Sequence, residues 1–234
     1  MITELETKIK EIIPRTYNVK SFRLEIKDGL DFKAGQFLQV ALKTNPELKR
    51  YLSISSSPTE KGYIEFTKKI TESEFSKTLD SLKIGDPVII KYPFGNFILQ
   101  ESYSKIAFLS GGIGITPIRS ICKYVVDKQS DIDIVLVYAN RTINDIAFRE
   151  DFDEMQRQYS KLKVVHMLSQ LAEGFKSKVG RINSQMIKEE IPDYAERKFY
   201  LCGPPAMVEA MQKILVDELA LPKENIITEN FQGY

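Results

Sequence analysis

A glycine-rich segment, SGGIGITP, directly follows a short apolar run and has the residue types needed to bind an anion. Gly111, Gly112 and Gly114 allow positive φ and let the backbone approach a ligand closely. Thr116 can cap a helix that has Pro117 at its first position. Bare N–H groups and the positive end of the helix dipole would then converge on one spot, which suits the pyrophosphate of a dinucleotide.

The glycine pattern is incomplete, and this leaves an alternative open. Gly112 and Gly114 match the first two glycines of the GxGxxG fingerprint, but Pro117 occupies the third place. For this segment taken alone, a plain strand-to-helix turn is therefore the other interpretation.

A second unusual segment, RYLSISSSP from residue 50 onward, places an arginine, an aromatic ring and four serines where a strand would mostly alternate. Arg50 suits a phosphate, because its rigid fork of N–H groups matches phosphate oxygens. Tyr51 offers a flat face for a ring, and Ser53 places a hydroxyl beside a heteroatom. Together these residues would hold the mononucleotide portion of a flavin. The alternative is a polar strand end that runs into a serine-rich loop.

Cys202 and His166 are the remaining residues with reactive side chains in predicted strands. Cys202, followed by the turn residues Gly203 and Pro204, lies at the carboxyl edge of the sheet, where open α/β sheets bind ligands. A buried structural cysteine is the alternative. His166 is the one histidine and is interpreted as structural, which leaves histidine-dependent triads and most zinc sites without their usual candidate.

The segment YANRT follows the second predicted strand of the C-terminal half, where nucleotide-binding sheets select between NAD and NADP. Arg141 favours a 2′-phosphate, while Asp145 nearby could favour an unphosphorylated ribose. The sequence leaves this choice open.

The elements that must position these residues divide the chain into two halves. Up to about residue 100, short alternating segments separated by turns predict a small antiparallel β-barrel with one short helix. After residue 104, strands alternate with helices, which predicts an α/β doubly wound parallel sheet. We therefore expect two domains, 1–102 and 103–234. The predicted strands are 19–26, 37–42, 50–55, 63–68, 87–92, 105–110, 132–139, 163–167, 198–202 and 226–229, and the predicted helices are 74–82, 117–127, 147–158, 184–190 and 206–219.

Composition narrows the functional classes. The 234 residues include 33 basic and 32 acidic side chains, so an extended nucleic-acid surface is not expected. The N-terminus lacks the order of a signal peptide, and no apolar run approaches the roughly 18 residues that span a membrane, so a cytoplasmic location is the expectation. Two cysteines supply neither a disulfide framework nor an iron–sulfur or other metal site.

Four motifs in order, RYLS at 50–53, GGIGITP at 111–117, CGPP at 202–205 and ENF at 229–231, resemble those of the ferredoxin–NADP reductase superfamily. The resemblance covers essentially the whole chain. The segment YANRT, together with DI at 145–146 and FRE at 148–150, resembles the corresponding sequence of the NADH-using cytochrome b5 reductase and oxygenase-reductase branches.

The resemblance implies a flavin, usually FAD, on the barrel. It places Arg50 on the flavin phosphate, Tyr51 against the isoalloxazine and Ser53 near its N5. The family's second flavin motif, a glycine followed three residues later by serine or threonine, maps to Ser73 and Ser76. The glycine is a serine here, so the pyrophosphate contact is in doubt and FMN in place of FAD stays open.

The resemblance also implies a nicotinamide site on the second domain. Cys202 and Glu229 would lie beside the nicotinamide, and a C-terminal aromatic, Phe231 or Tyr234, would cover the flavin. The implied catalytic residues are thus Ser53, Cys202 and Glu229, and the implied cofactor-binding residues are Arg50, Tyr51, Leu52, Ser53, Ser76, Gly111, Gly112, Gly114, Thr116, Pro117, Arg141, Cys202, Gly203, Pro204, Phe231 and Tyr234.

The expected function is a flavoprotein reductase in which NADH or NADPH reduces the flavin by hydride transfer. The flavin would pass electrons to a separate redox partner, such as a ferredoxin, flavodoxin, cytochrome or oxygenase component. Three alternatives remain: a nucleotide-binding module without turnover, an electron-transfer subunit of a larger complex, and a Rossmann dehydrogenase acting on a carbonyl.

Overall fold

The computed structural model describes residues 2–26, 31–100, 102–170 and 172–230. Phe231 and Tyr234, the two candidates for an aromatic cover, lie outside the described residues. Two six-stranded sheets, one antiparallel and one parallel, form two domains that follow one another along the chain. The two-domain architecture predicted from the sequence is therefore confirmed.

The N-terminal sheet curls into a barrel. Its strand order is β4-β3-β6-β1-β2-β5, every adjacent pair is antiparallel, and a bridge between Ile54 and Phe66 brings its two ends together. Phe66 stacks on Phe22 inside the barrel, with ring centroids 5.3 Å apart. The elements are β1 (Thr3–Thr16), β2 (Val19–Glu25), β3 (Phe37–Leu42), β4 (Asn45–Ser53), β5 (Tyr63–Lys69), α1 (Glu74–Ser81) and β6 (Pro87–Phe94).

Strand β1 was not predicted, although it joins the two halves of the barrel by pairing with both β2 and β6. In its first half the buried positions are Thr7 and Ile9, and most of the others carry charged or exposed side chains. Register shifts further along the strand interrupt its alternation. The period-two apolar signal is therefore weak in the sequence.

The second domain is a parallel sheet of strand order β10-β9-β8-β7-β11-β12. The chain winds outward from β7 in both directions, so β7 and β11 flank the switch point where such sheets bind ligands. Strand β7 is apolar on both faces: Phe108 packs with α2 and α3, and Leu109 packs with α4 and α5. The elements are β7 (Lys105–Gly111), α2 (Ile115–Lys128), β8 (Asp133–Asn140), α3 (Arg149–Gln158), β9 (Leu162–Leu168), β10 (Lys178–Val179), α4 (Ser184–Glu190), β11 (Lys198–Gly203), α5 (Pro205–Lys213) and β12 (Ile226–Asn230).

The predicted elements of this domain agree with the structure to within two residues, except at the end of the last helix. The predicted helix 206–219 ends as α5 at Lys213 and continues as one π-helical segment, Ile214–Glu218. Helix α2 begins earlier than expected, at Ile115. None of the helices formed by the described residues is both long and apolar enough to cross a bilayer.

Candidate active site

The glycine turn between β7 and α2 needs glycine for two different reasons. Gly112 has a φ of +53°, so the expected positive φ is correct there. It is wrong for Gly111 and Gly114, whose φ values are −141° and −60°. A Cβ on Gly114 would lie 2.4 Å from the carbonyl oxygen of Cys202, so this position requires glycine because two backbones meet closely.

The expected cap of α2 is also corrected. A 3₁₀ turn, Gly112–Gly114, brings the backbone into helical geometry before Thr116, and α2 begins at Ile115. Thr116 is therefore inside the first turn, where its hydroxyl donates a hydrogen bond of 3.1 Å to the carbonyl of Ile113. Pro117 likewise lies in the first turn rather than at the first position, where its missing N–H still costs no helical hydrogen bond.

A cleft of about 780 Å³ opens beside this turn and is shared by the two domains. The second domain contributes the turn itself, the end of β8 and the start of α5. The barrel contributes side chains from the β1–β2 connection and from β5. Its lining includes Asn18, Lys69, Gly112, Arg141, Asp145, Arg181 and Pro204.

Asp145, one of the two candidates for cofactor selection, is already occupied by protein donors. One carboxylate oxygen accepts hydrogen bonds from the Thr142 N–H at 3.0 Å and the Thr142 hydroxyl at 2.7 Å. The other accepts from the Tyr17 hydroxyl at 3.0 Å. Burial raises the pKa of Asp145, but these hydrogen bonds outweigh it and hold the pKa below its ordinary value. The carboxylate is thus ionised and serves as a cap and an interdomain contact.

A row of polar side chains crosses the carboxyl ends of the central strands. Cys202 lies opposite Glu229 on β12 and opposite Ser110 on β7. One carboxylate oxygen of Glu229 and the hydroxyl of Ser110 are buried and have no hydrogen-bond partner among the described residues. Burial raises the pKa of Glu229 to about 7, and burial together with Glu229 raises the pKa of the Cys202 thiol. Buried polar atoms that lack protein partners are candidates to meet a bound ligand.

The segment of β4 that contains Tyr51 and Ser53 presents an open aromatic ring and a buried hydroxyl. The Tyr51 side chain is 58% exposed and packs edge-on against Phe37 and Phe94, with centroids 5.6 Å apart in each case. Ser53 is 3% exposed, and its hydroxyl contacts no donor or acceptor in the described part of the chain. Leu52 packs partly buried against the barrel core, as strand alternation requires.

Gly95 connects the β4 segment with the polar row. A Cβ on Gly95 would lie 2.7 Å from the ring of Phe37 and 3.7 Å from a carboxylate oxygen of Glu229. Phe37 in turn contacts Tyr51. The exposed tyrosine and the buried carboxyl therefore approach the same short connection between the domains.

Comparisons with known proteins agree with this arrangement. Residues 4–98 match the oxidoreductase FAD-binding domain, and residues 108–213 match the oxidoreductase NAD-binding domain. NADH-cytochrome b5 reductase 1 of Mortierella alpina is 31% identical over 86% of this chain and 69% of its own length. NADH-cytochrome b5 reductase 1 of Dictyostelium discoideum is 30% identical over 94% and 80%.

The chain belongs to the ferredoxin–NADP reductase superfamily. Among solved structures, the ferredoxin reductase in carbazole 1,9a-dioxygenase shares the fold with a TM-score of 0.86 at 24% identity, over 99% of this chain and 70% of that one. The chain is an NAD(P)H-dependent flavin reductase, with FAD as its flavin. The FAD expected from the sequence is thus confirmed.

The reductase fits this flavin on its own geometry as well. The start of α1 is capped by Ser73, whose hydroxyl accepts a hydrogen bond of 3.3 Å from the Ser76 N–H. Serine in place of the family's glycine therefore supplies a cap. Ser76 is buried, with its hydroxyl 3.0 Å from that of Thr71. The Arg50 guanidinium lies 5.5 Å from the ring of Phe75 in the same helix, so a side chain of the type that suits a phosphate lies beside a helix N-terminus.

His166 of the reductase is buried in the sheet domain, as its structural interpretation requires. Its ring lies 5.2 Å from Phe175 and 6.1 Å from Tyr138, and neither ring nitrogen has a hydrogen-bond partner among residues with described positions. Burial lowers its pKa, so the ring is neutral. In the described ranges, no cluster of three or more His, Cys, Asp or Glu side chains could hold a metal ion.

Several residues near the site were missed in the sequence. The sequence shows that Ser110 is a polar residue at the end of an apolar strand. It does not show that the Ser110 hydroxyl has no hydrogen-bond partner among the described residues. Asn18 and Lys69 line the interdomain cleft from the barrel side, and no local pattern in the sequence indicates this. Arg119 follows the glycine turn on α2 and is only 5% exposed. An arginine on the apolar face of a helix is the available signal for a buried ion pair.

Proposed function

We propose that this reductase holds FAD at Tyr51 and Ser53, directs hydride to it from NAD(P)H bound at the glycine turn, and delivers electrons to a separate redox protein. The supporting observation is at Gly95. Phe37, which contacts Tyr51 on the barrel, and Glu229 on the parallel sheet both lie close to this backbone position. We place the domain boundary at residues 102 and 103, between β6 and β7.

On the barrel side, each residue has a role that its surroundings support. When bound, FAD accepts a hydride from the nicotinamide and releases electrons one at a time. The exposed face of Tyr51 supports the flat ring system, and the unpartnered hydroxyl of Ser53 is placed to hydrogen-bond a ring heteroatom. Arg50 and the start of α1, next to Ser76, would hold the phosphates.

On the sheet side, the chain orients the nicotinamide dinucleotide. Gly112 and the start of α2 would face its pyrophosphate, with Gly203 and Pro204 forming the opposite wall of the turn. Cys202 and Glu229 would border the nicotinamide. Orientation is the main contribution of these groups, because positioning alone can supply much of the rate enhancement in a transfer between two bound rings.

We also propose that the reductase accepts NADPH. The cleft contains three cations, Lys69, Arg141 and Arg181, while Asp145 is held by Thr142 and Tyr17. A 2′-phosphate would therefore meet positive charge, while the carboxylate that would select a ribose diol already accepts three hydrogen bonds from the protein. The names of the two cytochrome b5 reductase relatives indicate NADH, so both co-substrates must be compared.

The Arg141→Ala variant tests this cofactor choice. We expect kcat/KM for NADPH to fall about tenfold, the loss of one charge-assisted contact of roughly 1.4 kcal/mol, with little change for NADH. Equal effects on both co-substrates would contradict the assignment of Arg141 to the 2′-phosphate.

The relatives named above point to the class of acceptor. Their names indicate cytochrome b5 for two of them, and the solved ferredoxin reductase is named with a dioxygenase. We propose a one-electron redox protein as the partner, docking where the flavin edge is exposed beside Tyr51.

Anaerobic titration of the purified protein tests the proposed function. A yellow protein that bleaches on addition of NADPH or NADH supports the reductase. A colourless protein that binds nucleotide after incubation with excess FAD would favour the nucleotide-binding module. A protein that oxidises NAD(P)H only with a carbonyl substrate would favour the Rossmann dehydrogenase.

A further inference from the structure

Helix α2 carries a buried arginine toward the barrel. Arg119 is 5% exposed and donates hydrogen bonds to the carbonyl of Ser55 at 3.1 Å and to a carboxylate oxygen of Glu60 at 3.1 Å. A second, shorter contact to Glu60 makes this pair bidentate. Its Nε donates to Asp151 at 3.0 Å. The guanidinium thus binds two groups of the first domain and one of the second.

The neighbouring residue strengthens the same contact. Ser120 donates a hydrogen bond of 2.6 Å to the carbonyl of Ser56. Ser55, Ser56 and Ser57 are fully buried, and they lie in the irregular segment that follows β4. The serine segment is therefore the barrel's contact with α2, and two successive side chains of that helix hold its backbone.

The charges around Arg119 are mutually compensated. Arg15 of the barrel donates to Asp151 at 3.3 Å and to Glu65 at 3.2 Å, so Asp151 is shared by arginines from both domains. Arg119 holds the pKa of Glu60 below its ordinary value despite burial. Glu60 consequently stays ionised at neutral pH. A buried ion-pair network of this kind adds little net stability but fixes geometry, because its charges are costly to separate.

The contact between Arg119 and Ser55 is close in sequence both to the proposed flavin-binding strand and to the proposed nicotinamide-binding turn. Ser55 is two residues beyond Ser53, and Arg119 is five residues beyond Gly114. We propose that Arg119 is a positioning residue that fixes the nicotinamide-binding turn relative to the flavin-binding strand. The inference rests on the proposed function, and it concerns alignment of the two rings rather than affinity for either one.

A matched control exists within the chain. Arg197 is also 5% exposed, and it pairs with Asp193 at 2.7 Å and donates to the carbonyl of Ile106 at 3.1 Å. Its partners among the described residues, Asp193, Ile106 and Asp133, all belong to the second domain, at the amino ends of the strands. Arg197→Gln therefore disturbs a buried arginine of equal burial without touching the barrel contact.

The test compares Arg119→Gln, Arg119→Lys and Arg197→Gln. Stopped-flow reduction of bound flavin at saturating NAD(P)H reports alignment, and the Kd for the oxidised dinucleotide reports binding. Hydrogen exchange of residues 55–57 in the flavin-free protein reports the contact itself. A displacement of about 1 Å can cost about 100-fold in rate, so we expect Arg119→Gln to slow reduction between 10-fold and 100-fold.

The expected pattern is specific. Arg119→Gln should leave Kd within threefold and speed exchange at 55–57, and Arg119→Lys should recover part of the rate. Arg197→Gln should lower Tm but leave the reduction rate within twofold. Equal slowing by Arg119→Gln and Arg197→Gln, or unchanged reduction in Arg119→Gln, would overturn the inference.

Two further measurements keep the test decisive. If Arg119→Gln fails to fold, Glu60→Gln weakens the same pair from the barrel side and should slow reduction in the same sense; no slowing there would reject the inference. If the wild-type protein is not reduced by NAD(P)H, the proposed function fails. Exchange at residues 55–57 still shows whether Arg119 holds the domains together.

Discussion

Replacing Gly114 by alanine tests the close approach between the glycine turn and the backbone of Cys202 and Gly203 at the end of β11. The added Cβ would lie 2.4 Å from the Cys202 carbonyl oxygen and 2.6 Å from both the Cys202 carbonyl carbon and the Gly203 Cα. These are backbone atoms of β11 and cannot rotate away as a side chain would. Because ordinary contact begins at about 3.4 Å, the turn and the strand end must separate by about 1 Å.

The expected cost follows from that separation. Overpacking of this kind destabilises by about 1–3 kcal/mol, and each kcal/mol lowers Tm by about 2–4 °C in a protein of this size. The separation also moves Cys202 away from the turn that would hold the pyrophosphate. A 1 Å misplacement can cost about 100-fold, so we expect kcat for flavin reduction to fall by about that factor.

Calorimetry and stopped-flow reduction of Gly114→Ala measure both quantities, with Gly112→Ala as the control. Apart from its chain neighbours and the backbone of its own turn, no heavy atom of the described residues lies within 4 Å of a Cβ on Gly112, so this substitution adds the roughly 1–2 kcal/mol of a left-handed φ without a clash against another segment. Gly112→Ala should therefore lower Tm and raise KM, with a smaller effect on kcat than Gly114→Ala. Wild-type kcat in Gly114→Ala, or an equally slow Gly112→Ala, would refute the reasoning.

Three other predictions concern Glu229, the residues proposed to contact the two cofactors, and the two cysteines. Glu229 favours its protonated form in the folded protein, with a pKa of about 7 against an ordinary 4.5. Wild-type stability should therefore fall relative to Glu229→Gln, by up to about 3 kcal/mol, as pH rises from 4.5 to above 7. Urea denaturation at pH 5 and pH 8 measures this, and parallel curves would contradict the assignment. Tyr51→Ala and Ser53→Ala should slow flavin reduction more than they weaken nicotinamide binding, whereas Thr116→Ala should mainly raise the nicotinamide KM; stopped-flow traces with the reverse pattern would reject these roles. Cys122 and Cys202 are buried and burial raises the pKa of both thiols, so iodoacetamide at pH 8 should label neither until urea is added, and rapid labelling of the native protein would show that the site opens.

Local sequence patterns predicted the two-domain architecture and most of its strands and helices. The sequence predicted the unit formed by β7, the glycine turn and α2. An apolar run, a cluster of glycines and a helical spacing are all local features of the sequence. The alternation of strands and helices after residue 104 likewise predicted a parallel sheet, since each element is defined within about fifteen residues. Strand β1 escaped because its charged outer positions and register shifts hide the period of two.

The contacts of individual side chains could not be predicted in this way, because they depend on how distant segments pack. The sequence offered both Arg141 and Asp145 for cofactor selection, whereas the structure shows that Tyr17 of the barrel and Thr142 donate hydrogen bonds to the Asp145 carboxylate. Gly114 requires glycine because β11, almost ninety residues later in the chain, passes against it. Arg119 meets Ser55 across 64 positions. Periodicity records which face of an element is buried, whereas partners, pKa values and close approaches depend on distances between segments that folding alone brings together.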